Sequence, residues 1–123
     1  MNKIRVLVAN RPQLMRDVVL ETISDQPDIE VLDEIKNDSE ILPRVEEWHP
    51  DFVIVALDVR EGPPAFCDRL LLTHPDMKIL AVAPERNRSL FMWVALNVCT
   101  MQIETSEQGI LDALRGKTHV AGI

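Results

Sequence analysis

The residue types that most often carry chemistry are sparse in this chain and far apart. Cys67 and Cys99 are separated by 32 positions and lie in apolar stretches, which predicts buried reduced thiols and leaves a disulfide or a metal pair as the alternative. Of the three histidines, His49 and His74 precede prolines in turns, and His119 lies 45 residues beyond His74. This spacing is unlike that of metal ligands, so the sequence predicts no metal site and no enzyme active site.

Phosphate and nucleotide binding find little support in the glycines and arginines. The four glycines, at positions 62, 109, 116 and 122, form no phosphate-cradling loop. Arg86 and Arg88 flank Asn87 and have the charge to hold a phosphate or a carboxylate, but two arginines in a loop are more often simply solvated. The sequence therefore gives no nucleotide site.

Charge is distributed unevenly along the chain. The net charge is −7, and residues 1 to 61 carry 14 acidic and 7 basic side chains, whereas residues 62 to 123 carry 6 of each. Binding to nucleic acid needs clustered Lys and Arg, which this acidic chain lacks. We therefore expect no nucleic-acid partner, and the neutral second half is the better place for an apolar contact with another protein.

The apolar segments are too short for a membrane span. The longest apolar run outside the predicted strands, residues 90 to 96, has seven residues, and a transmembrane helix needs about 20. Met1, Asn2 and Lys3 lead into a strand without the apolar region of a secretory signal. These features predict a soluble cytoplasmic protein without a membrane partner.

Strand and helix patterns alternate along the chain and must position any site. The runs that predict strands are residues 4–9, 29–35, 52–57, 78–83 and, more weakly, 100–103. A helical pattern follows each run; the fourth covers about residues 87–97 and the last is capped by Ser106. This alternation predicts a three-layer doubly wound, flavodoxin-like α/β fold with a five-stranded parallel sheet in the order 2-1-3-4-5. The domain spans residues 1–116, and residues 117–123 form a flexible tail or a truncated linker.

Five segments in this order closely resemble the receiver domain of bacterial response regulators, especially the LuxR-type branch. They are I-R-V-L-V-A-N-R-P-Q-L-M-R-D (4–17), Q-P-D-I-E-V-L-D-E-I (26–35), H-P-D-F-V-I-V (49–55), H-P-D-M-K-I-L-A-V (74–82) and S-E-Q-G-I-L-D-A-L-R (106–115). The resemblance covers residues 3 to 115. It implies a phosphorelay site at the strand ends: an acidic pair for Mg²⁺, an Asp phosphoacceptor, a Ser or Thr, and a Lys.

The residues that would perform this reaction are replaced at every position. The resemblance places the acidic pair on Asn10 and Arg11, the phosphoacceptor on Ala56 and the hydroxyl on Ala83. The lysine position falls near Glu104, in a stretch without lysine. An amide, a cation and two methyl groups provide neither the metal ligands nor a nucleophile, so the resemblance implies a pseudo-receiver with no cofactor and no phosphorylation.

A pseudo-receiver of this kind would act in two-component signal transduction through protein contacts, as a homodimer or with another regulator. The family's dimer face runs from the fourth helix to the fifth, and its candidate residues here are Leu90, Met92, Trp93 and Leu96. Residues 90–96 are apolar all round, whereas a helix on a sheet buries only one face. The alternative interpretation is that Phe91, Val94 and Ala95, or a neighbouring register of this helix, fill the core and that the other apolar residues reflect local crowding.

Two other functions stay open. Replacing charged side chains by methyl groups around Asn10, Ala56 and Ala83 leaves room for a small apolar or neutral ligand, which suggests a sensor. Alternatively, Asp58 begins the segment D-V-R-E-G, which superficially resembles the sequence of the family's acceptor loop but lies two residues beyond Ala56. In that case Asp58 would be a residual phosphoacceptor.

Overall fold

The computed structural model describes residues 3–58, 60–95 and 97–116, which form an α/β fold with a six-stranded mixed sheet. The strands are β1 Ile4–Ala9, β2 Ile29–Glu34, β3 Phe52–Ala56, β4 Lys78–Ala83, β5 Arg88–Val94 and β6 Val98–Gln102. The helices are α1 Gln13–Ile23, α2 Ile41–Trp48, α3 Phe66–Thr73 and α4 Glu107–Leu114. The strand order is β2-β1-β3-β4-β5-β6.

The first four strands are parallel and separate two apolar cores. Successive side chains of a strand point to opposite faces, so Val6 and Val8 of β1 pack with α1 and α4, whereas Leu7 and Ala9 pack with α2 and α3. The side chains of these four residues are all buried. The continuous apolar runs of the sequence therefore suit strands that are covered on both faces.

The predicted five-stranded parallel sheet is wrong beyond β4. The segment predicted as the fourth helix is strand β5, which pairs antiparallel with β4, and β6 pairs antiparallel with β5. The last strand of the 2-1-3-4-5 prediction corresponds to β6, and β5 lies between it and β4. The flavodoxin-like assignment is therefore wrong. The sheet is mixed, and the described residues form four α-helices rather than five.

A tight turn after β4 accounts for the antiparallel pairing. Pro84–Arg86 form a short 3₁₀ turn, and Asn87 follows with φ 54° and ψ 44°, in the left-handed region that asparagine tolerates better than most residues. The chain therefore reverses within four residues and returns beside β4, with Arg88 opposite Ala83. A parallel connection would have needed a crossover of a dozen residues or so.

The apolar run in β5 is explained by burial on both faces of the sheet. Leu90 and Met92 pack against the core under α2 and α3, whereas Phe91 and Trp93 pack against the core under α1 and α4. A segment that is apolar all round suits a central strand of seven residues better than a helix with one exposed face. The all-round pattern was visible in the sequence, but by itself it fits a buried helix as well as a strand.

The last helix matches its prediction closely. Ser106 lies at the N-terminus of α4, and its Oγ accepts a hydrogen bond from the backbone N–H of Gly109 at 2.9 Å, as expected of an N-cap serine. Its buried residues, including Ile110 and Leu114, pack on the sheet.

Within the described part of the chain, no helix has the length and apolarity needed to cross a membrane. The predicted tail, residues 117–123, lies outside the described residues.

Candidate functional site

The carboxyl ends of β1, β3 and β4 meet at one edge of the sheet. Ala9 lies opposite Val55, and Ala56 lies opposite Val82 in the parallel register. This edge therefore holds Ala56 and Ala83, the last residues of β3 and β4, and Asn10, which follows β1. This edge is where the implied phosphorylation site would lie.

Asn10 joins the three strand ends through its side chain. It is fully buried, and its Nδ2 donates hydrogen bonds to the backbone oxygens of Val55 and Val82, each at 3.1 Å. A carboxylate at this position has no hydrogen to donate unless it is protonated. Asn10 therefore has a structural role that the sequence did not reveal, and its place directly after a buried strand was the available signal.

Arg16 supports Asn10 from α1. This arginine is only 4% exposed, and its Nη1 donates to the backbone oxygen of Asn10 at 3.4 Å while its Nε contacts Glu34 Oε1 at 3.3 Å. A buried guanidinium is costly unless it is paired. The position of the first strand end is thus fixed from two sides, by its own side chain and by a neighbouring helix.

The residues at this edge do not fit the Mg²⁺ ion that the receiver resemblance implies. Arg11 is exposed and its Nη2 pairs with Asp38 Oδ2 at 2.8 Å, so a fixed cation stands where a metal ligand would be needed. The one free oxygen of the Asn10 side chain, Oδ1, is neutral, whereas Mg²⁺ sites are built around carboxylates. Within the described ranges, no group of three His, Cys, Asp or Glu side chains is placed to hold a metal ion.

The other two positions at the edge carry only methyl groups. Ala56 is partly exposed at the mouth of a cleft, and Ala83 is buried with 1% of its surface exposed. Neither side chain can attack a phosphorus atom or donate a hydrogen bond. Glu104 is not brought to them, because it follows β6 and is exposed, and β5 stands between β6 and β4. Of the predicted site positions, Asn10, Ala56 and Ala83 therefore lie at the strand ends, and Arg11 lines the cleft together with Ala56.

Asp58 closes a tight turn at the same edge. Its carboxylate accepts hydrogen bonds from the backbone N–H groups of Arg60, at 2.8 Å, and Glu61, at 3.2 Å. These bonds stabilise the charged form and lower the pKa of Asp58. Its backbone exchanges two hydrogen bonds with Gly62, whose φ of +87° suits glycine. These hydrogen bonds give Asp58 a structural role in the turn, and that role explains why an aspartate occurs here.

A cleft of about 980 Å³ opens above this edge. Arg11, Arg60 and Arg86 line it together with Asp58 and other acidic residues, and Pro63 and Pro64 contribute to its wall. Asn10 and Ala83 do not line it. Three arginines and four acidic residues therefore line the cleft, unlike the uncharged pocket expected from the sequence, and sequence reasoning did not group these arginines.

The candidate interface residues lie in a strand rather than on a helix. Met92 is 1% exposed, Leu90 is partly buried, and Trp93 is partly buried with its ring 5.6 Å from that of Phe91. Leu96 lies outside the described residues. The helical surface named in the sequence analysis does not exist, because a strand replaces the helix; within the isolated chain, Met92 is a core residue.

The two thiols are both free and differ in their surroundings. Cys67 is fully buried, as predicted, and burial raises the pKa of its thiol to about 12. Cys99 is only partly buried, in β6, and its Sγ donates to the backbone oxygen of Asn97 at 3.3 Å. Cys99 is therefore more accessible than the sequence indicated.

Comparison with known proteins adds no assignment: no protein-family model matches this chain, and no curated protein matches it.

Proposed function

We propose that this chain is a phosphorylation-independent signalling domain, a bacterial pseudo-receiver that acts through protein–protein contacts and has no enzyme activity. The resemblance of its five segments to receiver domains supports the signalling role. The arrangement at the carboxyl ends of β1, β3 and β4 supports the loss of phosphorylation. The sheet is mixed rather than all-parallel, so the fold does not support the proposal. The proposal depends on the sequence resemblance and on the residues at the strand ends.

The hydrogen bonding of the buried Asn10 side chain is the observation that carries the proposal. The amide is committed to the carbonyl oxygens of Val55 and Val82 at 3.1 Å, and Arg11 is committed to Asp38. Ala56 offers no nucleophile beside them. A phosphoryl group would therefore meet neither a metal ligand nor an acceptor among these three residues.

The proposed working surface is the hairpin of β5 and β6. No charged residue occurs between Arg88 and Glu104, and this neutral stretch corresponds to the hairpin. Interfaces are depleted of charged residues at their centre. We further propose a cytoplasmic location, because both cysteines are unpaired and disulfides are rare in that compartment.

Phosphorylation with a small donor tests the proposal. The chain is incubated with Mg²⁺ and acetyl phosphate, or with beryllofluoride, and is followed by intact mass spectrometry and amide NMR spectra. We expect an unchanged mass and unchanged spectra. An Asp58→Asn variant is the matched control: a modification that this variant abolishes would establish Asp58 as a phosphoacceptor and would overturn the proposal.

The cleft favours a second candidate, the sensing of a small polar ligand. Its volume of about 980 Å³ lies within the range of known ligand sites, and Arg60 and Arg86 provide positive charge for an anionic group among the acidic residues of the lining. A thermal-shift screen of small carboxylates and phosphates tests it. A stabilising compound whose effect is lost in Arg86→Ala supports this candidate, and a screen without any shift contradicts it.

A further inference from the structure

The two edges of the sheet differ in their protection against pairing with another strand. β2, at one edge, has Glu30, Asp33 and Glu34 among its six residues, and its register with β1 shifts between Val6 and Leu7. Charged side chains and bulges are the features by which natural sheets keep their edge strands single. The β2 edge is therefore protected twice.

β6, at the other edge, has neither kind of protection. Its sequence is V-C-T-M-Q, without charge, proline or glycine, and its register with β5 is unbroken over five residue pairs. Val98 and Met101 pack against opposite cores yet stay partly exposed. An uncharged, regular edge of this kind is a template for a further strand.

The hydrogen bonds show which backbone groups of β6 are available. Ile103 N–H donates to Ser89 O, and Ala95 N–H donates to Asn97 O, each at 3.1 Å. Antiparallel pairs alternate between bonded and non-bonded positions, so the odd-numbered residues of β6 bond to β5. Val98, Thr100 and Gln102 consequently direct their N–H and C=O groups outward, where the described part of the chain has no further strand.

We propose that β6 pairs antiparallel with β6 of a second copy of this chain, about a two-fold axis at Thr100, to form a continuous twelve-stranded sheet across the dimer. Thr100 then faces Thr100 of the second copy, and Val98 faces Gln102. On the other face of the sheet, Cys99 lies opposite Met101. The outward N–H and C=O groups of Val98, Thr100 and Gln102 then form hydrogen bonds with those of the second copy in an antiparallel ladder.

A second copy suits this edge because the strand is complementary to itself. Every opposed pair in the proposed register is uncharged, and threonine pairs across antiparallel strands are favourable. The same self-pairing of β2 would place acidic residues against acidic residues. Because the β2 edge is blocked, pairing through β6 closes after two chains instead of continuing as a filament.

The inference rests on the proposed function, since it names the partner in a contact-based mechanism. Its tests, however, involve no phosphate chemistry. A phosphorylated yet dimeric chain would refute the proposed function alone, whereas an unmodified and monomeric chain would refute the dimer alone.

Charge reversal at the two-fold axis tests the dimer. Thr100 is exposed, so Thr100→Glu and Thr100→Lys each place like charges opposite one another without disturbing the core. In analytical ultracentrifugation we expect a wild-type dimer, two monomeric variants with unchanged circular dichroism, and a heterodimer when the variants are mixed. Glu30→Lys at the β2 edge is the control and stays dimeric. A monomeric wild type, charged variants that remain dimers, or a mixture that stays monomeric would overturn the proposal.

Cysteine crosslinking tests the register. In a Cys99→Ser background, Thr100→Cys brings two Cα atoms to about 5.5 Å, which is within disulfide range. Gln102→Cys is the matched control: it is exposed in the same strand, but its two copies would lie four residues out of register, about 13 Å apart. We expect oxidation to crosslink the first variant at least tenfold faster. Equal rates, or faster crosslinking through residue 102, would contradict the proposed register.

Discussion

At the scale of single residues, the difference between an amide and a carboxylate decides what the strand ends can do. Asn10 has two N–H bonds to donate, and the structure directs its nitrogen to two backbone oxygens, those of Val55 and Val82. A carboxylate of the same shape would place negative charge against both oxygens. The amide at this position therefore supplies a crosslink between three strands.

Introducing a carboxylate at this position should destabilise the fold. We expect Asn10→Asp to lower the free energy of unfolding by about 3 kcal/mol, because two buried backbone oxygens lose their hydrogen-bond donor and a charge is buried beside them. Urea unfolding measures the change. Arg11→Ala is the neighbouring control: it breaks the exposed pair with Asp38 and should cost less than about 1 kcal/mol. Equal losses in the two variants would contradict the structural role of Asn10.

The Cys67 thiol predicts a dependence of stability on alkaline pH. Burial raises its pKa from a usual value of 9.0 to about 12, so the folded chain keeps a proton that the unfolded chain releases. The free energy of unfolding should therefore fall between pH 9 and 12, by up to about 1.4 kcal/mol per pH unit from this group. Urea unfolding at several pH values should show a shallower fall in Cys67→Ala. An unchanged slope in that variant, or a lost slope in Cys99→Ala, would disprove this.

At the scale of the secondary-structure elements, α4 begins in a crowded turn. Gly109 lies in the first turn of this helix, where its N–H bonds to Ser106 Oγ. A Cβ added at Gly109 would overlap the backbone oxygen of Glu104. The glycine is therefore required by the close approach of the preceding segment, and the helix cannot exchange it for a better helix former.

This crowding reverses the usual effect of a glycine-to-alanine change. In an open helix the substitution stabilises by up to about 1 kcal/mol, whereas Gly109→Ala should destabilise by about 1–3 kcal/mol because backbone must move. Thermal unfolding measures the sign. Gln108→Ala, at an exposed position of the same helix, should change stability by about 0.5 kcal/mol or less. A stabilised Gly109→Ala variant would contradict the close approach.

At the scale of the whole molecule, Arg115 ties the end of α4 to the turn before β2. Its Nε and Nη2 contact the two carboxylate oxygens of Asp28 at 2.7 and 2.8 Å, and Nη2 also reaches Gln26 Oε1 at 2.9 Å. The hydrogen bond to Asp28 raises the pKa of Arg115. This forked contact joins residues 87 positions apart in sequence.

Loss of this contact should have a measurable but modest effect. Asp28 is 44% exposed, so solvent screening reduces the benefit, and we expect Arg115→Ala to lower the free energy of unfolding by about 1 kcal/mol. Arg115→Lys keeps the charge but not the fork and should recover less than half of the loss. A double-mutant cycle with Asp28→Ala measures the coupling. Additive losses would show that the contact contributes nothing.

The sequence was sufficient for the elements whose apolar pattern is determined locally. β1, β3 and β4 are short apolar runs bounded by turn residues, and α4 begins at a serine that caps it. The predictions of these elements held because each depends on a periodicity or a cap within its own segment.

Tertiary structure decided the rest. Residues 88–94 are apolar on every side, and that pattern fits either a buried helix or a strand between two cores; the reversal at Pro84–Asn87 selects the strand, and with it a mixed sheet. The donors that hold Asp58 and the carbonyls that engage Asn10 come from backbone that no residue pattern reveals. Side-chain periodicity is local, whereas strand direction and hydrogen-bond partners depend on segments brought together only by folding.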